Sequence, residues 1–172
     1  DALLARQDGD PMVELLDGDR AEHVVVLLLD GCNANLLHQV IEAGEAPHLA
    51  GLVARGTDYR HGAFASLPTA TLANHTTAVT GAHPGHTGVL HNTWVDRRDG
   101  TTPDLLALDQ MFWAMRHLSP EVETLFQAVA RSRPGAFSSA SFEFCDTGAT
   151  WSSFGDVRDG SGGDLPSLED VT

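Results

Sequence analysis

Three polar side chains, Asp30, Thr71 and Asn92, have the types needed to activate and steady an oxygen nucleophile. Asp30 closes the apolar run Val24 to Leu29 and is followed by Gly31. In open α/β sheets ligands bind outside the carboxyl ends of strands, so an acid there suits a metal ligand. An Asp-Gly pair is also an ordinary turn or helix cap. Thr71 stands at the expected start of a helix. A hydroxyl is a weak nucleophile near neutral pH until a base or a cation turns it toward an alkoxide. The unpaired first-turn N–H groups of a helix, and its dipole, favour an anion at that place. A Thr there can equally serve as a plain cap. Asn92 offers an amide donor for an oxygen on which charge develops, or is a turn residue.

The histidines suggest a second constellation. His61, His75, His83, His86 and His91 crowd one region, and His83-Pro84-Gly85-His86 has a compact spacing. Zinc needs three or four protein ligands, and neither a Cys nor a carboxylate completes this set. Pro84-Gly85 predicts an exposed loop. His75, inside the helix after Thr71, reads as a packed or hydrogen-bonded structural residue. Cys32 and Cys145 have no CxxC or finger spacing and read as two buried free thiols.

These residues need elements to position them. His23 to Leu29 is a β-branched and leucine run that predicts a central parallel strand buried on both faces. Met12 to Leu16 predicts a short edge strand, and Thr57 to Ala65 a second strand. Asn33 or Asn35 caps a helix ending near Ala43 and stopped by Gly44. Pro47 opens another, stopped by Gly56. Ser66 to Thr69 turns into a short helix from about Thr71 to Thr80, ended by Gly81. Asp99-Gly100 predicts a turn. A helix is expected from about Pro120 to Ser132, with Val122, Leu125, Phe126 and Val129 on one face, and a strand within Ala136 to Phe144. From Asp156 onward the Gly, Asp and Ser content predicts a surface loop. Strands alternating with helices imply an α/β fold, a mostly parallel sheet with helices on both faces. Residues 1–22 read as an N-terminal extension and 23–172 as one domain.

Composition excludes some classes. The 172 residues are 42% hydrophobic and 20% charged, which suits a globular protein and not a disordered tail. A net charge of −14 argues against nonspecific nucleic-acid binding, which needs Lys and Arg to neutralise phosphates. It leaves room for a small phosphate ester, because bound cations can supply positive charge locally. No stretch approaches the roughly 20 apolar residues of a membrane span. The chain opens at Asp1 without a Met, which leaves a removed leader open.

The order of motifs resembles the amino-terminal part of the type I phosphodiesterase/nucleotide pyrophosphatase family, within the alkaline phosphatase superfamily. The residues that carry the likeness are Asp30-Gly31, Pro47-His48-Leu49, Pro68-Thr69-Ala70-Thr71-Leu72-Ala73-Asn74-His75, Thr80-Gly81, Pro84, Thr87-Gly88-Val89 and Asn92. The resemblance implies an alkaline phosphatase-like fold and a hydrolase of small phosphate esters. It implies two divalent metal ions of zinc type, with Asp30 and Thr71 as ligands of one of them. It makes Thr71 the nucleophile that forms a phosphothreonine, steadied by Asn92 and the Thr71 backbone N–H. It also leans to an extracytoplasmic compartment.

Two departures qualify that expectation. Leu72 replaces a Phe that in relatives stacks on a nucleobase, and Ala73 replaces a Pro, so nucleotide preference stays open. The later Asp and His motifs that complete the metal site in relatives have no counterpart here. The fold and site are therefore expected to be incomplete, with the remaining ligands beyond residue 172 and the isolated chain inactive. A phosphomonoesterase, a phosphonate hydrolase or a non-catalytic scaffold of the same fold remain alternatives. The modified-cysteine motif of sulfatases is missing around Thr71.

Overall fold

A computed structural model describes residues 21–60, 62 and 64–160. The expected strand at Met12 to Leu16 lies outside the described residues, as does His61.

Local signals explain the first helices. α1 (Ala34–Glu42) starts at Asn33, whose side chain accepts the N–H groups of Asn35 and Leu36 at 3.0 and 3.2 Å. That satisfies two of the first-turn donors that every helix leaves unpaired. α2 (Pro47–Arg55) has Pro at its first position, where a missing N–H costs nothing, and ends at Gly56. Neither helix contains a buried residue.

The strand expected at His23 to Leu29 is a correction. The run joins no ladder among the described residues, and Val24, Val25 and Leu27 are 76%, 83% and 74% exposed. A strand is fixed by neighbours that take its N–H and C=O groups, and among the described residues none pairs with this run as a ladder. Thr57 to Ala65 likewise forms no strand where it is described. The ladder present is a two-residue pair, β1 (Ser139–Ala140) parallel to β2 (Trp151–Ser152). Among the described residues the helices thus far outweigh the sheet, and the mostly parallel sheet is not seen.

The core lies further along. α3 (Thr71–Thr80) buries Leu72, which meets Val89, Leu105 and Ala114, with Trp94, Met115 and Phe144 packed around them. α3 ends at Gly81 in the left-handed region (φ 70°), where its N–H reaches Thr77 O at 2.8 Å. Pro84 to Thr87 form one helical turn, α4, where a loop was expected; Pro84 and Thr87 are buried and His83 and His86 exposed. Gly88 follows at φ 81°, and a Cβ there would lie 2.6 Å from His117 O, so the backbone approach requires glycine. Ser119 N–H to Thr87 O (2.7 Å) ties the same two segments.

α5 (Leu108–Met111) and a 3₁₀ turn (Ala114–His117) carry the chain onward. α6 (Leu125–Ser132) starts later than Pro120 because Thr124 and Gln127 form a reciprocal capping box. α7 (Ser153–Asp159) replaces the loop expected from Asp156. Ser152 caps it, accepting from Phe154 and Gly155 N–H at 3.2 and 3.1 Å, and donates its own proton to buried Asp146. Arg158 closes the arrangement, reaching Asp146 Oδ2 at 2.7 Å and Phe112 O at 2.8 Å. Phe154 stacks among Phe112, Phe142 and Phe144.

Candidate active site

The start of α3 is built by contacts from two asparagines, Asn92 and Asn74, and not by its own cap. The N-cap is Ala70, extended (φ −97°, ψ 145°), with no side-chain cap bond. Thr71 is the first helical residue, so its hydroxyl is not spent on capping. The cap comes from a distance: Asn92 Oδ1 accepts Leu72 N–H at 3.0 Å, across twenty residues of chain. An N–H partner requires the oxygen of the amide, which leaves Asn92 Nδ2 as a donor. Asn92 O also accepts Leu105 N–H at 2.8 Å, which fixes the residue from behind.

Asn74 organises the approach. Its Oδ1 accepts Ser66 N–H at 2.8 Å, and its Nδ2 donates to Pro68 O and Ala70 O, both at 3.0 Å. The turn that delivers Thr71 is thus laced to the helix that Thr71 begins. The sequence motif contains Asn74, but its job was not read from it. The signal was its position three residues into a helix that follows a polar turn.

Leu72 is wholly buried. The position where the family resemblance implies a ring faces the core here, so Leu72 offers no stacking platform to a base.

Asp30 sits in a turn after the extended run, with Oδ1 accepting Gly31 N–H at 2.9 Å. His75 lies four residues after Thr71 on the same helix. His75 Nδ1 meets Glu143 Oε2 at 2.9 Å. The His75 pKa is raised, first by that hydrogen bond, against the opposing effect of burial, with the charges of Glu143 and then Asp30 adding to it. Among the expected residues, Asn92 reaches the first turn of the helix that Thr71 begins, through Leu72 N–H, whereas the Asp30 carboxylate bonds locally to Gly31 N–H. Sequence reasoning gave Glu143 no role: its separation of 68 residues from His75 leaves no local trace.

The other histidines are dispersed. His83 Nδ1 lies 3.2 Å from Ser66 Oγ, and His91 Nδ1 accepts Thr93 N–H at 3.4 Å. Among the described residues no three His, Cys, Asp or Glu side chains converge as a metal site. Asp30 and Thr71 are two donors where zinc takes three or four, so the described residues do not by themselves fit a metal ion. Both cysteines are free, as expected, but only Cys145 is buried; Cys32 is exposed. Burial pushes the Cys145 thiol up to about 12. Two open cavities of about 480 and 510 Å³ lie elsewhere, the larger-lined one around Trp113, Arg116, Trp151 and Arg158, and neither is lined by Asp30, Thr71 or Asn92.

A family model for type I phosphodiesterase / nucleotide pyrophosphatase matches residues 24–158, most of the chain. The chain belongs to that family. Its match spans the extended run before Asp30, the Thr71 helix, Asn92 and the Glu143 segment together. As a type I phosphodiesterase / nucleotide pyrophosphatase member, the chain is of the phosphoric-ester hydrolase type, with small phosphate esters as the substrate class. No helix among the described residues is long and apolar enough to cross a membrane. No solved structure matches the chain significantly.

Proposed function

We infer that this chain supplies the nucleophile of a phosphoric-ester hydrolase. Thr71 Oγ attacks phosphorus, the ester alcohol leaves, and water then releases the phosphoryl group from the threonine. The Thr71 backbone N–H and Asn92 Nδ2 hold the non-bridging oxygens, at a helix end whose dipole favours their charge. The observation that supports this reading is the Asn92 Oδ1 contact with Leu72 N–H at 3.0 Å, which brings the Asn92 amide to the first turn of the helix that Thr71 begins.

The reading extends to metal dependence. In that reading Asp30 and Thr71 would be donors to a zinc-type site, which the described residues alone do not complete. Buried Leu72 favours a phosphate ester recognised at phosphorus over one recognised through a stacked base. A competing reading, a scaffold that kept the fold and lost the chemistry, draws on the absence of a three-donor cluster among the described residues.

The test is Thr71→Ala in the full gene product. Hydrolysis of bis-p-nitrophenyl phosphate in the presence of zinc is expected to fall to background while the circular dichroism spectrum is unchanged. Mass spectrometry of acid-quenched wild-type enzyme is expected to find phosphate on the peptide containing Thr71. Undiminished turnover by the variant removes Thr71 from the chemistry, and no turnover by the wild type with any divalent metal favours the scaffold.

A further inference from the structure

His75 and Glu143 form the most enclosed ion pair that touches α3. Their side chains are 14% and 12% exposed, and Glu143 is held twice, since its Oε1 also accepts Cys145 N–H at 2.9 Å. The edge of the Phe144 ring meets the imidazole at 5.6 Å and 77°. Residues 143–145 therefore clasp one point on the helix through charge, aromatic contact and backbone.

We propose that His75 is a positioning residue for the Thr71 site: gripped by Glu143, it fixes the first turns of α3 so that Thr71 stays in register with Asn92. The proposal rests on the reading of Thr71 as nucleophile. His75 lies one helical turn from Thr71 on the same face. α3 lacks a cap of its own, so what places its first residue is tertiary contact. Those contacts are concentrated at one end: Asn92 on Leu72, the 66–70 turn on Asn74, and Glu143 on His75. In the second half of the helix, the Thr77 hydroxyl bonds to the helix's own Ala73 carbonyl, and the Thr80 hydroxyl donates to Thr76 O and accepts the N–H of Ala82 just past the helix end.

The test compares His75→Gln, Glu143→Gln and the double variant by amide hydrogen exchange, read by NMR on the chain at one pH and temperature. Exchange at Leu72, Asn74 and His75 is expected to speed up about tenfold in each single variant, while Thr80 and Gly81 stay within about twofold. The double variant is expected to match the singles, because both changes remove one interaction. In the full gene product kcat is expected to drop with KM little changed. Uniform acceleration along the helix, no acceleration, or unfolding of both single variants overturns the proposal and leaves the pair as general support. A localised exchange response together with an active Thr71→Ala enzyme would keep the clamp and remove the nucleophile. The reverse pattern would remove only the clamp.

Discussion

Asn92 gives a test in which stability and chemistry should separate. Asn92→Ala removes the acceptor of Leu72 N–H, a group on a wholly buried residue. Loss of a helix cap costs about 1 kcal/mol, and stranding a buried donor costs about 1–3 kcal/mol. The two overlap, because they describe the same N–H, so a net loss of about 1–2 kcal/mol is expected. For a chain of this size that lowers Tm by roughly 3–6 °C. Asn92→Asp keeps the acceptor oxygen and sets a negative charge at the positive end of the helix, a gain of about 0.3–1 kcal/mol. Its stability should equal or exceed that of the wild type. The same substitution deletes the Nδ2 donor and places charge against a phosphoryl oxygen. Removing one such donor typically costs about 10²–10³ in rate, and repulsion adds to it. Urea titrations followed by circular dichroism read the first quantity, and bis-p-nitrophenyl phosphate turnover by the full gene product reads the second. If Asn92→Asp is destabilised as much as Asn92→Ala, the distant cap is not what holds α3. If Asn92→Asp turns over normally, Asn92 holds no substrate oxygen.

Other outcomes follow from burial and charge. Leu72→Ala should cost about 2–5 kcal/mol in urea titration, and Leu72→Phe about 1–3 kcal/mol through overpacking against Val89 and Leu105; a stabilising Phe would mean that the side chain has room to face outward. Native protein should take up one equivalent of iodoacetamide at Cys32, and Cys145, buried and with its thiol pushed up to about 12, should react only after unfolding; rapid labelling of both sites contradicts that burial. The His75 pKa is raised above the 6.5 of a free imidazole, so the pair's stabilisation is complete below pH 6.5 and is lost as pH rises through the higher folded value. Glu143→Gln should flatten urea midpoint against pH in that window, and an unchanged slope would show that His75 titrates independently of Glu143.

The sequence was legible where structure is decided locally. Asn33, Pro47 and Gly81 act within one helical turn of themselves, and α1, α2 and α3 begin and end where they indicate. It was legible in part where two local signals compete: Val122 carries the helical spacing of α6, but the Thr124–Gln127 capping box starts the helix after it. Elements that depend on distant partners were not legible. Val24 to Leu29 reads as a buried strand because its residue types suit one, yet burial is supplied by neighbours and not by composition. α7 was hidden by its glycine and aspartate content, and what makes it a helix is Ser152 at its start and Arg158 reaching Asp146 from its far side. At the site, motif order singles out Thr71, Asn92 and Asp30 as candidates. The roles of Asn74 and Glu143 were not, because each depends on a partner brought near by folding.

The helix behind Thr71 is made largely of poor helix formers, with four threonines, an asparagine, a histidine and a valine among its ten residues. The Thr76 and Thr77 hydroxyls return to carbonyls one turn back, at 2.7 and 2.9 Å, which quiets the side chains without rewarding the helical backbone over alternatives. Cut out as a ten-residue peptide, this segment should be random coil in water. Its shape is borrowed from its surroundings, so warming that softens the interior should displace the Thr71 hydroxyl before the molecule as a whole comes apart, and, on the reading of Thr71 as nucleophile, inactivation should run ahead of melting.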